Sequence, residues 1–253
     1  MKITILGSGT CVFSLERASS SILLETENTN LLLDAGTGCT RRLLEKGFDI
    51  SKIDGIFLSH FHIDHSAELV PILFSLKNGG LLNNKNKFFL MGGLGLNDFY
   101  NNLKKVYGHW IDIGEKLEIL EFDKNKRNFL EIFDIKIKVF PVNHRPESLA
   151  VKISDKKGKN FVYSGDMDVT LGFESFIKGS NLLIIDSAMP DNLKVDGHLT
   201  PAIASEIALK GKVEELVLTH FYPQCEKADF LNEAEKIFKG KLTLASDLME
   251  IKL

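Results

Sequence analysis

At 253 residues, with 44% apolar and 26% charged side chains, the chain has the make-up of a globular protein and not of a disordered or fibrous one. A chain of this length buries roughly 70–75% of the surface it exposes when unfolded, so a large core needs no disulfide staples. The net charge of −3 excludes a global basic field for nucleic acid and leaves room only for a local basic patch.

Cys11, Cys39 and Cys225 are far apart, odd in number and without CxxC spacing, which points to a reducing compartment and away from a cysteine metal cluster. The opening "MKITILGSGT" reads as a strand and turn and lacks the apolar stretch and cleavage site of a signal peptide. No run of about 18 apolar residues is present. A cytoplasmic protein with no membrane partner is expected.

In chain order, "KITILG", "SSILLE" and "NLLLDAG" read as strands, and "GCTRRLLEKG" as a helix closed by Gly47. The strand "GIFLSH" is followed by a helix in "SAELVPILFSLKNGG", starting at Ser66. "LLNNKNKFF" overlaps the strand "KFFLMG", and its polar part reads as a loop. "GLNDFYNNLKKVYG" has helical spacing, and "FDKNKRNFL" is a second polar loop. "IKIKVFPV" alternates strictly, so its lysines face water, and "LAVKIS", "FVYSGD" and "LLIIDS" continue as strands. "NLLLD" and "LLIID" are apolar throughout, as expected of strands covered on both faces. "TPAIASEIALKG" predicts a helix with Thr200 at the N-cap, Pro201 in the first turn and a glycine exit. The strand "LVLTHF" and a helix in "KADFLNEAEKIFKG" close the list. The pattern is one mixed α/β domain over residues 1–253, without repeats or low-complexity linkers.

The segment "SHFHIDHS" (residues 59–66) holds three of the seven histidines and an aspartate between them. Alternate residues of an extended chain share a face, so His60 and His62 point the same way. Asp64 and His65 lie where the chain turns toward the helix and can aim at a second point. One segment thereby supplies two histidines to one ion and an Asp–His pair to another. Imidazole and carboxylate donors suit Zn2+ first, with Mn2+ or Fe2+ as substitutes. Asp34, His144, Asp166, His198 and His220 each stand at or just past the end of an apolar strand, where loops carry chemistry. His109 is read as structural. "GSGT" fails the dinucleotide pattern because Val12 stands where its third glycine belongs.

With these residues assembled, the chain resembles the metallo-β-lactamase superfamily, whose H-x-H-x-D-H signature stands here as His60, His62, Asp64 and His65. The resemblance runs from "TILGSGT" to "VLTHF" in the family's motif order. It implies an αββα four-layer sandwich, two mixed β-sheets flanked by helices, with a site for two divalent metal ions along one edge. Carried over by motif, His60, His62 and His144 hold one ion, Asp64, His65 and His220 the other, and Asp166 bridges both. Asp34 then orients a ligand histidine.

No cysteine stands near Asp166, which argues against β-lactam hydrolysis, and His62 is not the glutamate of the oxygen-reducing branch. "LGSGTCVFSLERASSSILLE" and "DGHLTPAIASEIA" resemble the ribonuclease Z and phosphodiesterase branch, implying a metal-dependent hydrolase acting on RNA ends or small phosphodiesters. Relatives of this kind often form homodimers. Two departures argue against tRNA processing itself. The interval "RPESLAVKISDKKGKNFVYSG" is too short for a tRNA-clamping arm, and Asp186 takes the place of a glutamate. A thioesterase or lactonase on the same scaffold, or a metal-binding protein without turnover, are the other readings.

The expected roles follow from chemistry. Asp64 accepts a proton from the attacking water. His198, beside Thr200 at a helix start, acts as general acid or oxyanion contact, with Asp186 or Asp196 holding it protonated. Arg17 either meets the substrate phosphate or is a structural arginine.

Overall fold

Most strands of this chain are apolar on both sides, and that property dictates layers. The computed structural model describes residues 1–82, 87–123, 128–227 and 229–253. The first sheet contains β1 (Lys2–Gly7), β2 (Ser21–Glu25), β3 (Asn30–Leu33), β4 (Gly55–Leu58), β5 (Phe88–Gly93), β6 (Leu117–Phe122) and the late strand β14 (Glu250–Lys252). Its order is β14-β1-β2-β3-β4-β5-β6. The second contains β7 (Phe129–Ile132), β8 (Ile135–Pro141), β9 (Leu149–Asp155), β10 (Asn160–Tyr163), β11 (Leu182–Asp186), β12 (Glu215–Thr219) and β13 (Lys241–Leu244), in the order β13-β12-β11-β10-β9-β8-β7. Each sheet joins an antiparallel half to a parallel half: β3 through β6 run parallel in one, β10 through β13 in the other.

Period-two alternation sorts the side chains. Ile3, Ile5, Ile22, Leu24, Leu31, Leu33 and Phe57 face the second sheet and belong to the inter-sheet core. Their neighbours Leu6, Leu23, Leu32, Ile56 and Leu58 face the opposite way and pack under helices. Those helices include α1 (Cys39–Glu45), α3 (Leu69–Asn78) and α4 (Leu96–Tyr107), with the four-residue α2 (Ile63–Ser66) just ahead of α3. On the far side, α5 (Phe173–Ile177), α6 (Pro201–Gly211) and α7 (Phe230–Glu235) cover the second sheet. The result is the four-layer αββα sandwich expected from the resemblance. No helix of the described residues is long and apolar enough to cross a membrane.

Several elements differ from the sequence reading. The helix expected from Ser66 begins earlier, at Ile63, breaks after Ser66 and restarts at Leu69. Pro71 has no N–H to offer the carbonyl of Ala67, so a continuous ladder through this point is unavailable. The turn places Asp64 and His65 inside α2. Thr200 stands at the N-cap of α6, but its side chain makes no capping hydrogen bond. Gly211 is the last helical residue and Lys212, at φ 53°, makes the left-handed exit in its place. Strands β6, β7, β13 and β14 were not expected. The polar loops read at 81–89 and 122–130 lie partly outside the described residues, at 83–86 and 124–127. Within 227–240 the helix is confined to Phe230–Glu235, capped by Asp229, whose carboxylate accepts from Asn232 N.

Phe57 is fully buried between the sheets with Phe122 6.1 Å away, two residues before the first histidine-rich turn. Phe57→Ala is expected to cost about 3–5 kcal/mol of unfolding free energy, read by urea denaturation. A loss under 1 kcal/mol would contradict the packing described.

Candidate metal centre

Parallel strands end together, so their loops converge on one edge of the sandwich. Asp34 follows β3, His60 follows β4, Asp166 follows β10, Asp186 closes β11 and His220 follows β12. His144 enters from the turn after β8. The structure brings all seven sequence-predicted ligands together. Donor atoms of His60, His62, His144 and Asp166 lie within 4.8 Å of one another, as do those of Asp64, His65, Asp166 and His220. Asp166, Asp186 and His198 form a third such group.

Asp166 belongs to all three, and its two oxygens divide the work. Oδ1 lies 3.1 Å from His65 Nε2 and 3.3 Å from His220 Nδ1. Oδ2 lies 3.6 Å from His60 Nε2 and 3.7 Å from His144 Nε2. The carboxylate therefore presents one oxygen to each of the two histidine groups.

The imidazoles are held from behind. His65 Nδ1 donates to Asp34 Oδ2 at 2.7 Å, and His144 Nδ1 donates to the Gly197 carbonyl at 2.9 Å. His60 Nδ1 is 3.1 Å from Ser59 Oγ, and His220 Nδ1 is 2.9 Å from Ser20 Oγ. A proton on Nδ1 leaves the Nε2 lone pair free, which is how a partner on the far nitrogen fixes a ligand histidine. Among the described residues, Nε2 of His60, His65 and His220 and Oδ1 of Asp166 are buried without a hydrogen-bond partner. Buried polar atoms are seldom left so, and a cluster of them facing one point has the chemistry of a cation site. The residues present fit a pair of divalent ions.

Charge agrees with geometry. Burial lowers the proton affinity of His60, His62 and His220, so their rings stay neutral and available as donors. Burial alone would raise the Asp166 carboxyl, but the surrounding imidazoles hold it well below the usual carboxylate range. His65 is the exception: burial opposes its charging, yet Asp166 and Asp34 together keep its proton affinity well above normal.

Asp34 is the anchor behind the centre. It accepts from Ser59 N at 2.6 Å, Ser59 Oγ at 2.8 Å, Tyr163 Oη at 2.7 Å and His65. It adopts φ 59°, and His220 adopts φ 67°, backbone that non-glycine residues take at a cost of about 1–3 kcal/mol. Gly36, two residues on, leaves no space for a side chain, since a Cβ there would lie 2.2 Å from the Asp64 carbonyl. Asp64 Oδ2 accepts from Cys11 N at 3.0 Å and faces Nε2 of His65 at 3.9 Å and of His220 at 4.0 Å.

His198 lies against the cluster, its ring 5.0 Å from His144 and 5.3 Å from His220. Its Nδ1 meets Asp186 Oδ2 at 2.9 Å; of the two carboxylates considered from sequence, Asp186 is the one in contact. Burial disfavours the imidazolium, but the hydrogen bond and charge of Asp186 outweigh it and lift the pKa to about 9. The loop carrying His198 is clipped in place by Asp168, whose Oδ2 accepts from Lys194 Nζ and Gly197 N, both at 2.9 Å.

The Arg17 guanidinium donates to Ser8 Oγ and the Ala245 carbonyl, both at 2.7 Å, and lies 4.7 Å over the Phe221 ring, contacts of the kind its structural reading calls for. Thr200, beside His198 at the start of α6, is 2% exposed. His109 lies in the Gly108–Ile111 turn with its ring on Trp110, outside every donor group. Ser20, Ser59, Tyr163 and Asp168 were missed, because a hydroxyl or carboxylate facing the back of a ring leaves no spacing signature.

The chain is similar to a ribonuclease Z from Bradyrhizobium diazoefficiens, 27% identical over 303 aligned positions covering 98% of each. That alignment is longer than this chain, so the relative carries insertions. Among solved structures it is similar to the metallo-β-lactamase fold protein YhfI from Bacillus subtilis, with TM-score 0.85, 22% identity, and 99% and 98% of the two chains covered. It is also similar to the short form of human tRNase Z, with TM-score 0.79, 24% identity, and 100% and 99% coverage. These structures show the fold. Residues 1–228 match the family described as the anti-Pycsar protein Apyc1, and this metallo-β-lactamase-fold chain belongs to that family.

Proposed function

We propose that the chain is a metal-dependent phosphodiesterase acting on RNA ends or small nucleotide-like diesters. The observation that carries it is the Asp166 carboxylate, with one oxygen facing each of two groups of back-tied imidazoles. His60, His62 and His144 would hold one ion, Asp64, His65 and His220 the other, and Asp166 both, with zinc the first choice for this donor set. When bound, two divalent ions supply Lewis acidity toward phosphate oxygens and generate a nucleophile from water near neutral pH.

The chain's own groups supply the rest. Asp64, held by the Cys11 N–H, accepts the proton released by the attacking water. His198, kept protonated by Asp186, donates to the departing alkoxide. His62 is exposed, which makes that side the approach for substrate. The names of the similar proteins, ribonuclease Z and tRNase Z, support phosphodiester chemistry. Strands β9 and β10 and a tight turn fill the interval between His144 and Asp166, so small substrates suit this chain better than a clamped tRNA.

Three outcomes test this reading. Purified protein given zinc or manganese is expected to bind two ions per chain and to hydrolyse bis(p-nitrophenyl) phosphate, losing activity to a chelator. Inactivity with every metal, or faster turnover of a thioester or lactone, would overturn it. His198→Ala should retain both ions and lose about 10²–10⁴-fold on a diester with an alkoxide leaving group, but far less on one releasing p-nitrophenolate, which needs no proton. Metal loss in this variant would refute the acid role. Asp34→Asn, which weakens the support of His65, should lower metal affinity by about 10–100-fold in a competition titration; wild-type affinity would remove Asp34 from the site.

A further inference from the structure

A cavity of about 690 Å³ opens between the ends of β5 and β6 on one sheet and β8 and α5 on the other. Leu94, Phe122, Phe140 and Phe176 supply much of its apolar wall, while Lys138 and Ser175 bring polar groups to it. Its volume falls in the range of small-molecule sites. The Phe140 and Phe176 rings stack at 5.2 Å and 28°, and Phe140 is backed by fully buried Phe173 at 6.1 Å. Both stacked rings are half-buried, so each keeps surface for an occupant.

The cavity neighbours the candidate centre. Pro146 borders it and also borders the open cleft that contains His144. Two residues of chain reach at most about 7 Å, so the shared wall lies within a sugar's span of a proposed ligand.

We propose that this cavity takes the nucleobase of a nucleotide-like diester, stacked on Phe176 and Phe140, with the phosphate over the His144 side of the cluster. Aromatic faces accept any base, and the polar groups match the donors and acceptors along its edge. An alkyl group of the same size would leave those polar groups without partners on desolvation. The placement of the phosphate rests on the phosphodiesterase reading; the base site does not.

The test is therefore twofold. Calorimetric titration of adenosine into metal-loaded protein is expected to show saturable binding. Leu94→Trp and Ser175→Trp, at exposed positions on the cavity's wall, should each weaken it at least tenfold by filling the space. For hydrolysis, the ratio of kcat/KM for the p-nitrophenyl ester of thymidine 5′-monophosphate over methyl p-nitrophenyl phosphate should fall at least tenfold in both variants. Adenosine binding that is absent or unchanged in both variants, or uptake of 1-octanol in its place, overturns the base site. Failure of the unaltered protein to cleave either ester counts against the phosphodiesterase reading, and the titration still decides the cavity.

Discussion

The centre depends on one constraint: imidazole rings pinned through one nitrogen so that the other points forward. A free histidine on a surface loop samples rotamers and tautomers. Here Asp34, Ser59, Ser20 and the Gly197 carbonyl each occupy the rear of a ring. The free nitrogens of His60, His65 and His144 face Asp166 and that of His220 faces Asp64, and burial removes water as a competing partner. Leaving several buried nitrogens unsatisfied is unfavourable for the chain alone, so the arrangement makes sense as a site built around cations.

The fold supplies the convergence. Strands β3 and β4 in one sheet and β10, β11 and β12 in the other run to the same edge. Their ends therefore deliver Asp34, His60, Asp166, Asp186 and His220 to one place. Two of these residues hold left-handed backbone, a strain that a rigid sheet can impose and a mobile loop could not maintain. The inter-sheet core and the centre are in this sense one construction: the packing that fixes Phe57 also fixes the residue two places on, Ser59, which supports both His60 and Asp34.

Much of this was legible in the sequence, for a physical reason. Strands buried on both faces have to be apolar throughout, so "NLLLD" and "LLIID" announce themselves, and polar residues at their ends stand out against them. The spacing of His60, His62, Asp64 and His65 is dense enough to need explanation. The edge strands were not legible: β6 alternates only weakly, and the three-residue β14 has a single buried position. The break at Ser66–Leu69 joins Pro71, which the sequence shows, to partners of Glu68 that it does not: the Ala35 carbonyl for its N–H, and the N–H groups of Gly38 and Thr40 for its carboxylate. Arg17 illustrates the same limit. A guanidinium fits a phosphate or a carbonyl equally well on paper, and the carbonyl of Ala245, 228 positions away, cannot be placed beside it from the sequence.

The hydrogen bonds behind the rings join residues remote along the chain: Asp34 with Tyr163, 129 positions away, and Ser20 with His220, 200 away. Such contacts close late, because long loops must be ordered before they repay the entropy. During synthesis, the histidine-rich turn leaves the ribosome well before the residues that lock it and complete its donor set. A nascent or partly folded chain therefore offers only a weak, mobile grip on metal. Tight capture becomes a signal that both halves of the molecule have been made and joined.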